Sequence, residues 1–282
     1  MNVRPVAALL RASGLPPAEA RTLLAHRTGC TRESLIAHPE QGLDDAKAEQ
    51  FLQDAARRRA GEPLAYLIGE REFYSRRFAV TPAVLVPRPE TELLVQMALE
   101  RAAGIAAPRI LDLGTGSGCI AISLALELPG ADVVATDISA GALDVARANA
   151  RQLGAQVAFV AGDWYASVEG RFDLIVANPP YVAPGDPHLA DLRFEPASAL
   201  AASDHGLSCL RQIIAGAPEH LHAGGRLLLE HGYDQAIAVH EMLASGGFEE
   251  ISTARDHAGI ERTTAGRFGL KPAAQSAAQG AT

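Results

Sequence analysis

The sequence predicts an α/β fold, a parallel sheet covered by helices on both faces and preceded by a small helical unit with a hairpin. Three observations predict it. From residue 91 onward, short continuous apolar runs alternate with segments whose apolar residues recur every three or four positions. Such runs are strands buried on both faces, as parallel sheets require. Before residue 60 only the three-to-four spacing occurs, broken by Gly and Pro. Between them, residues 64–81 are rich in aromatic and β-branched side chains around a polar "SRR", the pattern of a short hairpin.

The elements follow in order. "PVAALLRA", "PAEARTLLAHRTG", "TRESLIAH" and "DDAKAEQFLQDAARRRA" read as short helices. "PAVLVPRPETE" (82–92) is a proline-punctuated link into the helix "TELLVQMALERAA". The strands are "RILDLG", "DVVATD", "QVAFVAGD", "FDLIVANPP" and "GRLLLEHG", then "FEEISTAR" and "ERTTAGRFG" with a short connection. The Ala/Gln-rich end, placed within 269–282, has no apolar periodicity and reads as a disordered tail.

Composition excludes several classes. The 282 residues are 48% apolar with a net charge of −8, an ordinary balance for a large domain plus a small one. Residues 1–80 carry 12 Lys+Arg against 10 Asp+Glu, and the remainder 13 against 23. The acidic part is unsuited to hold a polyanion unaided. Cys30, Cys119 and Cys209 are widely spaced and lack a CxxC, so they read as free thiols of a reducing cytoplasm. No apolar run approaches the ~18 residues of a membrane span. "HLH" (220–222) places two rings on different faces of a helix end, so no metal is expected.

"LDLGTGSGCIAIS" sets Gly114, Gly116 and Gly118, with Thr115 and Ser117, between a strand and a helix, behind Asp112. The third glycine is misplaced for a dinucleotide fingerprint, and no P-loop lysine follows. Asp137 ends the next strand, where a carboxylate can accept from both ribose hydroxyls. Asp163 and Trp164 end the third, where an acid could take an adenine amino group and an indole could pack on the ring. Together these describe an adenosine ligand without a pyrophosphate, which S-adenosylmethionine fits.

The fourth strand ends in "NPPY": Asn178, Pro179, Pro180 and Tyr181. The Asn178 and Pro179 carbonyl oxygens can accept both hydrogens of one planar NH2, with Tyr181 against its flat face. An amide or aromatic amine is a poor nucleophile because its lone pair is delocalised. Gripping both N–H bonds turns that lone pair toward a methylsulfonium, so catalysis is mostly alignment. The motif suits adenine, guanine, cytosine or glutamine alike.

The chain resembles the PrmC/HemK family of release factor glutamine methyltransferases over roughly residues 5–268. "EPLAYLIGEREFYSRRFAVTPAVLVPRPETELLV" (62–95), "DLGTGSGCIAISLA", "ATDIS", "GDWY", "NPPYV", "DPHLADLRFEPASAL" and "LLLEHG" carry the resemblance. It implies a seven-stranded Rossmann-like class I methyltransferase domain (81–268) behind a helical substrate-recognition domain with its hairpin (1–80). It implies S-adenosylmethionine at Gly114–Gly118, Asp137 and Trp164, with S-adenosylhomocysteine as product; Asp112, Asp163 and Asn178 are expected at the same cofactor site. The substrate implied is the glutamine of the Gly-Gly-Gln motif in class 1 release factors, held by Asn178, Pro179, Pro180 and Tyr181. A cytoplasmic monomer with no nucleic acid or membrane partner is expected. Methylation of a ribosomal protein, methylation of DNA or RNA amino groups, and cofactor binding without turnover are the alternatives. Arg57–Arg59 with Arg71, Arg76 and Arg77 form a basic cluster that reads as a solvated face or a contact for an acidic protein. Glu230 and His231, at a strand end near the site, read as structural.

Overall fold

The structure, a computed structural model, describes residues 4–269. The expected disordered tail therefore lies outside the described residues, Gly269 excepted. Five helices form the N-terminal unit: α1 (Val6–Ala12), α2 (Pro17–Thr28), α3 (Arg32–Ala37), α4 (Asp45–Arg59) and α5 (Leu64–Ile68). Thr31 and Asp44 cap α3 and α4, accepting from the Ser34 and Lys47 amides at 3.1 and 2.8 Å. The apolar stripes meet in a core that includes Leu9, Leu23, Leu24, Leu35 and Phe51. A small pairing of β1 (Arg4–Pro5) with β2 (Gly42–Leu43), which the sequence did not announce, ties the start of the unit to the link between α3 and α4.

The segment "LAYLI" departs from the hairpin expected over 64–81. It is the helical turn α5, started by the extended Pro63 and stopped by Gly69 at φ +84°. The hairpin proper is β3 (Glu70–Phe73) and β4 (Arg76–Ala79). Its two turn residues, Tyr74 and Ser75, both take positive φ, as a type I′ hairpin turn demands. Phe73 and Phe78 are buried among side chains of the sheet domain, not among those of the helical unit.

The sheet domain holds α6 (Glu92–Ala102), β5 (Arg109–Leu113), α7 (Cys119–Glu127), β6 (Asp132–Asp137), α8 (Ala140–Leu153), β7 (Ala158–Ala161), β8 (Phe172–Ala177), α9 (Ser208–His220), β9 (Leu221–Glu230), α10 (Ala236–Ser245), β10 (Phe248–Arg255) and β11 (Glu261–Phe268). Its strands lie in the order β10-β11-β9-β8-β5-β6-β7. Strands β5 to β9 are parallel, and β11 runs antiparallel between β9 and β10. Alternate residues serve opposite layers. Ile110, Leu174, Val176 and Leu228 join Leu94, Ile120 and Leu124 of α6 and α7. Leu111, Leu113, Ile175 and Leu229 join Leu210 and Ile213 of α9 and Val239 and Leu243 of α10. Strand β9 begins four residues before the expected "GRLLLEHG", because Leu221 pairs with Phe172. Only His220 of "HLH" ends a helix, and its ring stacks on Tyr165 at 4.4 Å.

The chain runs from β5 outward through β6 and β7, then returns to β8 on the other side of β5. Such a reversal opens a crevice at the carboxyl ends of the strands, where open α/β sheets bind ligands.

One buried side chain ties the hairpin to that crevice. Asn149 of α8 accepts from the Ala79 amide at 2.8 Å and donates to the Ala79 and Ser117 carbonyls at 3.0 and 2.9 Å. It is fully buried, so Asn149→Ala leaves three backbone groups without partners. The expected loss of stability is about 2–4 kcal/mol. Urea unfolding checks it: the midpoint should fall at unchanged slope, and an unmoved midpoint contradicts the clip.

Candidate active site

Three glycines of the loop after β5 have positive φ, for different reasons. A Cβ on Gly118 would meet Ile122 Cδ1 at 2.8 Å and Ala146 Cβ at 3.2 Å, so this glycine lets α7 pack on α8. A Cβ on Gly114 would come within 3.3 Å of the Trp164 ring. Gly116 faces open space, so a ligand can approach its backbone. Asp112 sits behind the loop, fully buried, and accepts from the Thr115 hydroxyl at 2.6 Å. Burial pushes its carboxyl up to about 7, against the Thr115 hydrogen bond. It supports the loop from below, while Gly114, Thr115, Gly116 and Ser117 line the cavity above.

Asp137, at the end of β6, accepts from the Gly116 amide at 2.8 Å through one oxygen and from the Ser139 amide at 2.8 Å through the other. Capping of α8 falls to Ser139, whose hydroxyl accepts from the Ala142 amide. A carboxylate has about four acceptor positions, so two remain on Asp137 for a ribose diol. Ile138, 71% exposed, follows it on the cavity wall. Asp163 and Trp164 stand in the loop beyond β7, on the same cavity. Trp164 donates from Nε1 to Gln212 at 3.0 Å, which holds its ring against Gly114.

The one tryptophan makes this wall observable. S-adenosylhomocysteine should change the intrinsic emission saturably, since a half-exposed indole becomes covered. Trp164→Ala should weaken binding by about 10- to 100-fold, with Trp164→Phe retaining most of it. Flat emission during calorimetrically proven binding would place the adenine elsewhere.

Asn178 follows directly after β8 and lines both this cavity and a smaller one. Leu85, Arg88 and Ala199 line both as well. Pro180 faces the larger cavity, whereas Pro179 and Tyr181 face the smaller. Asn178 Nδ2 donates to the buried Thr91 hydroxyl at 3.2 Å, which leaves Oδ1 as an acceptor. The Tyr181 hydroxyl donates to Glu230 Oε1 at 3.3 Å. Burial, with the nearby Glu230 charge, raises the Tyr181 hydroxyl well above its ordinary range. Cys119 lines the larger cavity, but burial pushes its thiol up to about 12, so it offers no thiolate nucleophile.

Residues the motif reading did not assign complete the site. Arg88 pairs with buried Glu195, which also accepts from the Val86 amide at 3.0 Å. The distant segments "PRPETE" and "RFEP" are therefore one structure. Arg193 of the same loop donates to the Ala60 carbonyl at the end of α4 and so reaches the helical unit. The expected basic cluster is largely neutralised. Arg57 pairs with Glu62 and Asp54, Arg58 with Glu19, Arg76 with Glu127 and Arg77 with Glu70.

The comparisons with known proteins agree with this layout. The family model described as the PrmC N-terminal domain matches residues 3–69, and that of the methyltransferase small domain matches residues 89–195. The release factor glutamine methyltransferase of Bordetella pertussis is 53% identical, covering 92% of this chain and 97% of the relative. That of Burkholderia pseudomallei is 51% identical over 93% and 95%. That of Neisseria gonorrhoeae is 48% identical over 91% and 95%. Among solved structures, a methyltransferase from Pyrococcus furiosus shares the fold, with a TM-score of 0.55 and 20% identity over 77% of this chain and 99% of that one.

Proposed function

Because the chain belongs to the family of release factor glutamine methyltransferases, we propose that Asn178–Tyr181 present a release-factor glutamine to the cavity walled by Gly114–Ser117, Asp137 and Trp164. The activity is methyl transfer from S-adenosylmethionine to a glutamine side-chain nitrogen. The cofactor supplies an electrophilic methyl on a sulfonium. The residues present fit it: Gly116 leaves room for close approach, and Asp137 keeps acceptor positions for a ribose.

One observation carries this proposal: Asn178 lines both cavities. The larger cavity suits the nucleoside, and the smaller admits a slender side chain along Pro179 and Tyr181. The Asn178 Oδ1 and Pro179 carbonyl accept the two amide hydrogens and aim the nitrogen toward the larger cavity. No general base is required to generate the nucleophile. The glutamine is that of Gly-Gly-Gln, whose glycines let a backbone loop enter a narrow mouth.

We divide the chain after Gly69, where the N-terminal family match ends. The helical unit docks the substrate protein, and the hairpin, packed in the sheet-domain core, belongs with catalysis. Among the described residues no helix is long and apolar enough to cross a membrane. A cytoplasmic monomer that needs no nucleic acid contact completes the proposal. Mass spectrometry of release factor, ribosomal protein and RNA after incubation with enzyme and labelled cofactor tests it. Label should appear on the Gly-Gly-Gln glutamine of whole release factor. Label confined to ribosomal protein or RNA overturns the substrate.

A further inference from the structure

Two consecutive prolines leave a chain with no N–H by which its neighbours could hold it. Pro179 and Pro180 are such a pair, yet the Pro179 carbonyl must stand at a fixed place to grip an amide. Its placement therefore depends on the anchors to either side. Upstream, Ala177 is paired in the sheet with Leu113 and Leu229. Downstream, the first residue that can be held is Tyr181.

Tyr181 is held by its backbone as well as by its hydroxyl. Its carbonyl accepts from Gln235 Nε2 at 3.0 Å, and the same NH2 donates to the His205 carbonyl at 3.3 Å. Gln235 Oε1 accepts from the Gly232 amide at 2.9 Å. An N–H can only donate and a carbonyl can only accept, so three backbone groups settle which end of the Gln235 amide points where. Gln235 is 7% exposed, stands between β9 and α10, and lines neither cavity of the site.

The turn on the far side of this amide is strained. Asp204, His205 and Gly206 have φ of +54°, +55° and +85°, three left-handed residues in succession, two of them with side chains. That conformation is unfavourable for L-residues and persists only where the surroundings hold it. Gly206 lies directly against Tyr181, since a Cβ there would overlap the Tyr181 carbonyl oxygen. Val182, next in the chain, donates to the Leu200 carbonyl and accepts from the Ala202 amide, both at 2.9 Å.

We propose that Gln235 is a positioning residue for methyl transfer: its NH2 locks the Tyr181 carbonyl to the strained 204–206 turn and so sets where the Pro179 carbonyl and the Tyr181 ring stand against the substrate amide. Gln235 touches neither substrate nor cofactor and acts only through Tyr181. The inference rests on the reading of Asn178–Tyr181 as the substrate-amide site.

Gln235→Met keeps a side chain of similar length and removes all three bonds. Its kcat on whole release factor is counted per S-adenosylhomocysteine-binding site, so that unfolded enzyme drops out. That kcat should fall about 10- to 100-fold, as for a misplacement of about 1 Å. KM and S-adenosylhomocysteine affinity should stay within about threefold. In the Asn178→Ala background the same substitution should lower kcat by at most about threefold, because the grip it aligns is already lost. A residue that served folding alone would reduce the number of binding sites and leave kcat per site unchanged. That result overturns the proposal, as does a kcat loss that is fully additive with Asn178→Ala. If Gln235→Met gives no folded protein, Gln235→Leu decides by the same readouts, and native-like kcat per site there overturns it. Asn178→Ala separates the two levels. If it keeps turnover, the underlying reading fails; if it loses turnover while Gln235→Met does not, only this inference fails.

Discussion

Asn178→Ala is expected to lower kcat on whole release factor by about 10²–10³-fold while S-adenosylhomocysteine binds almost as before. The substitution removes the side-chain acceptor that lines both cavities. The Pro179 carbonyl remains, but one acceptor leaves the substrate amide free to rotate about a single N–H bond. Its lone pair then conjugates with its own carbonyl instead of pointing toward the larger cavity. The lost interaction strengthens as the nitrogen gains positive character, so the effect belongs in kcat more than in KM. Single-turnover methylation with labelled cofactor measures it, beside calorimetry on the same preparation. Turnover within about threefold of the native enzyme would remove Asn178 from the mechanism.

The sequence made this residue legible because a proline pair after an apolar strand admits few structures. The same logic exposed β5, β6, β8 and β9, whose apolar runs are too continuous for a half-exposed sheet. It failed at "LAYLI", where the composition favours a strand yet Pro63 and Gly69 bracket a helical turn. It also put Phe73 and Phe78 with the helical unit, because proximity in sequence does not reveal which core an aromatic side chain enters. Thr91 and Glu230 are harder cases. Each is an ordinary residue by local pattern, and their contacts with Asn178 and Tyr181 arise only when folding brings the linker and the end of β9 up to NPPY. Arg88 and Glu195 were visible as parts of two motifs, but their pairing is a tertiary fact.

That pairing bears on how substrate docking reaches the chemistry. The loop carrying Glu195 is held to the linker by Arg88 and to the helical unit by Arg193, which donates to Ala60. Pro196, Ser198 and Ala199 of the same loop line the larger cavity. Under the proposed docking on the helical unit, the substrate protein would contact a unit bonded to the loop that walls this cavity. A short Gly-Gly-Gln peptide lacks that remote contact, so its efficiency should be lower than that of whole release factor.

Asp137→Ala should weaken S-adenosylhomocysteine binding by about 10²–10⁴-fold, since two hydrogen bonds to a charged group are lost, each worth about 1.5–3 kcal/mol. The second consequence is geometric. Both carboxylate oxygens already accept from backbone, Gly116 on one side and Ser139 on the other. Alanine thus removes the ribose acceptors and the brace that holds the glycine loop. Asparagine does not rescue, because its NH2 end would face one of those two backbone donors. Asp137→Asn should therefore lose at least about tenfold in affinity, despite its nearly identical shape. The ribose contact can be isolated from the brace with a ligand lacking the 2′-hydroxyl. The native enzyme should discriminate against it by about tenfold or more, and Asp137→Ala should not, since no acceptor remains to notice the difference. Calorimetry of both ligands against both proteins closes the cycle. If discrimination survives in Asp137→Ala, the ribose is held by another group, and Asp137 serves the loop alone.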